Sequence, residues 1–367
     1  MKTIFSFLVG VMVVIGAEYA LWRKSLGSFN SVAAYWIEDA YKLKDKAAES
    51  AHGPKVLIMS GSNAIFGLDS DRLSSMLGKS VINMASHAGL PFDFIAEKSM
   101  RHVRPGDVVV APLEFEYYRR DPATPSKFEI ENMESWAASY ATENFARSIP
   151  YFRSASMLRS LRDYLSPVPP PERGSMQTII DVTSMNSKRG VSKWNGYSVE
   201  SINALGDMLV DEQSSYDEVD RNYITMPARD DALRKISDLK SAVEAKGASL
   251  FLTWPVFWRN PKFDLATTET DLSINRLVSD MADYSLSMNC SPSDFSFEKP
   301  LFFNTRYHLG LEGAERRTVA LAECIMGNSA SAPDPLTFVA ERRRRRWPTT
   351  QTPANSLSRP SLCRATK

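Results

Sequence analysis

The chain has only three cysteines, Cys290, Cys324 and Cys363, and only four histidines, His52, His87, His102 and His308. No C-x-x-C pair occurs, so the usual spacing of zinc and iron–sulfur sites is missing and no metal is expected. There is no G-x-G-x-x-G and no complete G-x-x-x-x-G-K-[ST] loop, which leaves dinucleotide and triphosphate cofactors without a motif. Lysine and arginine, 44 together, almost balance 43 aspartates and glutamates. With no excess of either sign, nothing calls for nucleic acid as a partner. Chemistry therefore has to come from local features of an otherwise ordinary globular composition, in a chain long enough for one good core and an insertion. Cys290 and Cys324 close the folded region; they read equally as a disulfide of an oxidising compartment or as two buried thiols.

What the sequence does have is a long apolar start. Ile4–Trp22 is almost wholly apolar, and its one charge is Glu18 near its end. About 19 residues suit a bilayer core. The run reads as an uncleaved membrane anchor over 1–24; a cleaved signal peptide and a buried helix are the competing readings, and no clean A-x-A site favours cleavage. Anchor and signal both place the body outside the cytoplasm, at the cell membrane on its periplasmic side. Residues 25–54 then read as a connecting amphipathic helix, over Phe29–Ala51, leading away from the membrane.

From Lys55 the pattern alternates. Lys55–Met59, Ser80–Met84, Asp107–Leu113 and Ser249–Trp254 are short apolar runs of the kind that form buried parallel strands. Helical patterns over Asp69–Leu77, Phe92–Val103, Asp230–Lys246, Thr268–Tyr284 and Glu312–Met326 separate or follow them. The rhythm predicts an α/β fold with a doubly wound parallel sheet over 55–327. Residues 119–226, with the Pro-rich Ser166–Pro171, break it and read as a mostly helical insertion over the sheet. From 328 to 367 the chain is rich in Ser, Pro, Thr and Arg, including Arg342–Arg346, and reads as a disordered basic tail.

Two segments carry the chemistry. Ser60-Gly61-Ser62-Asn63 follows the first strand, where open α/β sheets build their sites; a serine there exposes its Oγ among backbone N–H groups. Asn304-Thr305-Arg306-Tyr307-His308-Leu309 precedes the last helix. Serine and histidine, far apart in sequence, both reach the carboxyl edge of such a sheet. His87, after the second strand, is the alternative base. His52 and His102 sit at helix ends without chemical context. Glu114 and Glu116 are candidate ligands of a sugar hydroxyl or cation, or plain solvated residues at a strand end. Trp254, Phe257 and Trp258 are candidate stacking surfaces for a sugar ring, or a hydrophobic lid.

The turn after the first strand, Tyr307-His308-Leu309 with Glu312-Gly313 behind it, and Arg104-Pro105-Gly106-Asp107-Val108-Val109-Val110 before the third strand together resemble the SGNH (GDSL-type) hydrolases. The resemblance covers about Lys55–Leu113 and Ser249–Met326. It is closest to membrane-anchored, exported members of polysaccharide or cell-wall acylation systems, such as the alginate acetylation and D-alanylation proteins. It implies a flavodoxin-like sheet, Ser62 as nucleophile and His308 as general base. The Ser62 N–H would belong to the oxyanion hole, with Gly89 a candidate second donor. Two departures stand out. Asn304 occupies the place of the family's acid, with Asp294 a candidate replacement. The G-x-N-D block is absent, leaving Asn63 or Asn83 to supply its amide. The function implied is serine-dependent acyl transfer or deacylation of carbohydrate esters, with a carbohydrate polymer or acyl donor as partner and no cofactor. The alternative is an impaired SGNH-fold protein that serves binding or assembly among polysaccharide-modification proteins.

Overall fold

Helix α1 (Lys2–Ser25) is the apolar run, and its 24 residues are long and apolar enough to cross a membrane. In this computed structural model residues 2–212, 214–225 and 227–328 are described. The basic tail, apart from Asn328, lies outside the described residues.

Helix α2 (Trp36–Ser50) starts seven residues later than the pattern predicts and is no spacer. It buries Trp36, Ile37, Ala40, Tyr41 and Leu43 in the main core. Strand β1 (Val56–Ile58) is buried on both faces and leads into the one-turn helix α3 (Ser62–Ile65). Helix α4 (Ser70–Leu77) follows. Asp69 caps it by accepting from Arg72 N–H at 3.0 Å, and Gly78, left-handed at φ +61°, ends it. Strand β2 (Val81–Asn83), helix α5 (Phe92–Met100) and strand β3 (Val108–Pro112) complete the first half.

The insertion is helical, as expected, but broken into α6 (Lys127–Glu134), α7 (Ala138–Ala141), α8 (Phe145–Ser154), α9 (Met157–Leu165) and α10 (Met176–Arg189). It is also part of the sheet's surroundings, because Leu205 C=O accepts from the Asn83 amide and Met208 N–H donates to Ile65 C=O. Helix α11 (Asp230–Ala245), strands β4 (Ser249–Thr253) and β5 (Phe257–Trp258), helix α12 (Thr268–Ala282), and strands β6 (Ser296–Phe297), β7 (Phe302–Thr305) and β8 (His308–Leu309) lead to the last helix, α13 (Leu311–Asn328).

The four-stranded sheet has the order β2-β1-β3-β4, all parallel. Leu57 of β1 lies between Ile82 and Val109. One further parallel bridge, Thr253 to Asn289, continues the pairing outward from β4. β5–β6 form a small parallel pair, and β7–β8 an irregular antiparallel hairpin that carries His308. At the amino end of the sheet the fully buried Lys55 and Asp107 are paired at 2.7 Å, and Asp107 also accepts the N–H groups of Lys55 and Arg104. This fixes the start of β1 against β3.

Cys290 and Cys324 form a disulfide with Cα atoms 5.6 Å apart. It fastens α13 to the segment beside β4. Closing a loop of 34 residues removes chain entropy from the unfolded state, worth about 3–4 kcal/mol in the chain-entropy model. Reduction, or Cys290→Ala with Cys324→Ala, is expected to lower the unfolding free energy from urea titration by that amount; an unchanged value would contradict it.

Candidate active site

The turn after β1 is built around a buried carboxylate. Glu114, fully buried, accepts from Gly61 N–H at 3.1 Å and from Asn63 N–H at 3.0 Å. Burial holds its carboxyl above the usual carboxylate range, with hydrogen bonds from Asn63 opposing. A Cβ at position 61 would collide with this carboxylate and with the Ala88 backbone, so only glycine lets the three segments meet. Arg317 of α13, also fully buried, donates to the Asn63 backbone and side-chain oxygens at 2.6 Å each. Burial pushes its guanidinium down to about 9, against the pull of Glu114. Asn63 Nδ2 donates to Ser60 Oγ and Pro112 C=O. The serine turn is thus clamped from β3 and α13 while Ser62 itself stays partly exposed.

His308 enters from the β7–β8 hairpin and lies flat on Phe66, ring centroids 4.0 Å apart. Phe66 ends the turn that Ser62 begins, its N–H donating to Ser62 C=O at 3.1 Å. The imidazole therefore packs on the residue that closes the turn Ser62 opens, and no hydrogen bond joins it to Ser62. Asn304 Oδ1 accepts from His308 Nδ1 at 2.8 Å and its Nδ2 donates to Tyr197 OH at 3.0 Å. With the proton on Nδ1, Nε2 keeps its lone pair, the form a general base needs. The hairpin tip is tied down by Glu116, which accepts from Arg306 and, at 2.8 Å, from Tyr307 OH.

Burial pushes the His308 imidazole down to about 3, and the neighbouring His87 adds to the shift. Burial, with Arg120 beside it, takes His87 to about 4. A base whose folded pKa lies below its unfolded value of about 6.5 binds fewer protons when folded. Its neutral burial is then free of penalty above about pH 6.5, and stability is lost as pH falls from there toward 3. The stability advantage of wild type over His308→Phe is expected to shrink by about 1.4 kcal/mol per pH unit over that window. Urea titrations of both proteins at pH 7, 5.5 and 4.5 measure it; a pH-independent difference would contradict it.

Several expected roles are corrected. Asn83 is buried and donates to Ala64 C=O and to Asp207. The Asn63 amide is engaged as described, and Gly89 N–H donates to His87 Nδ1 at 2.8 Å. None of these three faces an oxyanion; the Ser62 N–H alone of the expected donors has no acceptor among the described residues. Glu114 is fully buried and holds the serine turn, and the partly exposed Glu116 holds the histidine hairpin. Trp254 and Trp258 are buried, at 1% and 6% exposure, and offer no stacking face. Asp294 is exposed and caps the turn Pro292–Phe295, so it is not the partner of His308. His87, the alternative base, stacks on Phe128 and accepts the Gly89 N–H at Nδ1. The aromatic wall beside His308 comes instead from the insertion. Trp194 and Tyr197 pack on Phe66, and Trp194 on Phe303. Sequence spacing gave no sign of this, because Trp194 and Tyr197 lie in an aperiodic segment over 100 residues before His308.

A surface cleft of about 1130 Å³ is lined by Pro54, Lys79, Ser80 and Gly106 at the amino ends of the strands. Sites of open α/β sheets form at the other end, and neither Ser62 nor His308 lines it. Comparison with family models, with curated proteins and with solved structures finds no match for this chain. Its function therefore has to be argued from the geometry.

Proposed function

We propose that the protein is a membrane-anchored, SGNH-like enzyme that transfers or removes acyl groups on carbohydrate esters of the cell envelope through Ser62 and His308. The observation that carries this reading is an imidazole held by Asn304 in the tautomer of a base and stacked on the helical turn that presents Ser62. The strand order β2-β1-β3-β4, with the Asn289 bridge where a fifth strand would continue it, agrees with a flavodoxin-like sheet. Ser62 Oγ attacks the acyl carbonyl as its proton passes to His308 Nε2, and the Ser62 N–H meets the developing oxyanion. The departing sugar oxygen takes that proton. Water or an acceptor hydroxyl then cleaves the acyl-serine, its proton passing through His308 back to Ser62. Trp194 and Tyr197 supply the aromatic face for a sugar ring. The disulfide and the α1 helix support an oxidising, extracytoplasmic side of the membrane.

Release of acetate from acetylated polysaccharide by the detergent-solubilised chain tests the reading. The wild type is expected to release it and Ser62→Ala to fall to background; a Ser62→Ala protein with full activity excludes the mechanism.

A second reading has its own observation. Glu114 occupies the Gly61 and Asn63 N–H groups, which leaves one turn donor for an oxyanion. A fold so arranged also suits binding or assembly in a polysaccharide-modification complex, with catalysis lost. A folded wild type without esterase or transferase activity on any such ester would favour it.

A further inference from the structure

Helix α9 is turned inside out for a surface helix in water. Its polar residues Ser160 and Asp163 are buried, and Arg159 reaches inward to Glu131, Glu134 and Asp163 at 3.3–3.4 Å. Leu158, Leu161 and Leu165, spaced as one helical stripe, are 83%, 44% and 71% exposed. Tyr164 beside them and Phe145 at the start of α8 are 52% and 69% exposed. Exposed Arg153 and Arg162 flank this patch.

The patch sits where α1 joins the body. Tyr19 packs edge-on against Phe145 and Phe152, at 5.8 and 5.2 Å, and the fully buried Trp22 donates to Glu134 at 2.8 Å. Upstream of Glu18, every described residue of α1 is exposed. That free stretch, Lys2–Ala17, is about 24 Å long at 1.5 Å per residue, and a hydrocarbon core is about 30 Å thick. A spanning α1 is therefore too short unless the level of Tyr19 and Trp22 also enters the membrane boundary, the depth such residues favour. What packs on Tyr19 and Trp22 is carried to the same depth.

We propose that α8 and α9 form an interfacial foot. The leucine stripe and Phe145 lie at the headgroup–acyl boundary of the bilayer that α1 spans, with Arg153, Arg162, Arg23 and Lys24 toward anionic headgroups. The occupant is lipid, and the foot fixes the height of the catalytic domain over the membrane. The inference rests on α1 as a span and not on the chemistry of Ser62.

The test uses the full chain with Cys363→Ser, reconstituted in phosphatidylethanolamine–phosphatidylglycerol vesicles. An environment-sensitive fluorophore is placed on Leu158→Cys, Leu165→Cys, Val13→Cys or Leu272→Cys, the last on an exposed position of α12. Phospholipids carrying a nitroxide at acyl carbon 5 or 12 quench by depth. At least twofold quenching is expected at 158 and 165, stronger from carbon 5, together with quenching at 13 from carbon 12 and none at 272. Quenching at 13 with 158 and 165 behaving like 272 overturns the foot while leaving the anchor. A blue shift at 158 without lipid quenching indicates a second copy of the chain and overturns it too. No quenching at 13 removes the span and the foot with it.

Discussion

Asn304→Asp is expected to raise Ser62-dependent ester turnover by about two to four orders of magnitude, the converse of what an Asp-to-Asn exchange costs in a serine triad. The substitution is nearly isosteric, and Oδ1 already lies 2.8 Å from His308 Nδ1, so the geometry needs no change. What changes is charge. An amide holds the tautomer but does nothing for the imidazolium that forms as Ser62 is deprotonated. In a site where burial takes His308 down to about 3, that missing stabilisation is severe. A carboxylate at 304 draws the imidazole pKa upward, and Tyr197 OH, now within reach as a donor, helps hold it. Residue 304 is only half-buried, so the new charge keeps part of its hydration. The pH profile carries a second signature. The proposed mechanism requires neutral His308, so the acidic limb should move from about pH 3 toward neutrality as the pKa rises. Steady-state ester hydrolysis from pH 4 to 9 reads both effects, with Ser62→Ala in the Asn304→Asp background as control. Unchanged turnover would mean that the imidazole does not act on Ser62.

Asp107→Ala should cost about 3–5 kcal/mol, the usual penalty for removing one partner of a buried ion pair. The charge of Lys55 would be stranded with its side chain at 0% exposure, and the N–H groups of Lys55 and Arg104 would lose their acceptor. Because the pair pins β1 to β3 immediately before the run that ends at Ser62, loss of ester turnover should track loss of fold. The double variant Lys55→Met with Asp107→Leu should recover much of the stability, since apolar replacements of similar volume often match buried pairs. Urea midpoints at pH 7 for the three proteins decide it. A cost below about 1 kcal/mol for Asp107→Ala would show that water reaches Lys55.

The parallel core was legible because its strands, fully buried in β1 and β2 and mostly so in β3, read as short apolar runs: Val56–Ile58, Val81–Asn83, Val108–Pro112 and Ser249–Thr253 fall inside the segments the pattern predicts. Ser62 and His308 stand out as candidates for a related reason, since chain order in an alternating fold puts the turn after the first strand and the loop before the last helix at one edge. What lay between them was not. Glu114 looks like a strand-end carboxylate until the fold turns it onto Gly61 and Asn63, and Arg317 is one cation among many until α13 buries it. Both depend on partners 51 and 254 residues away, beyond any periodicity. Trp254 and Trp258 misled because an aromatic after a strand reads the same whether it faces a ligand or a core. The strands of the His308 hairpin, four and two residues long, were too short to show alternation. The amphipathic pattern over Phe29–Ala51 reads as a connector because an apolar face says that a helix packs, not on what.

Labelling of the 367-residue chain by a fluorophosphonate serine probe tests the central claim most directly. The account predicts that Ser62 of the wild type is modified, that Ser62→Ala and His308→Ala are not, and that Asn304→Asp reacts faster. A folded wild type that takes up no probe, or a His308→Ala protein that labels as fast as wild type, would contradict an activated Ser62–His308 pair.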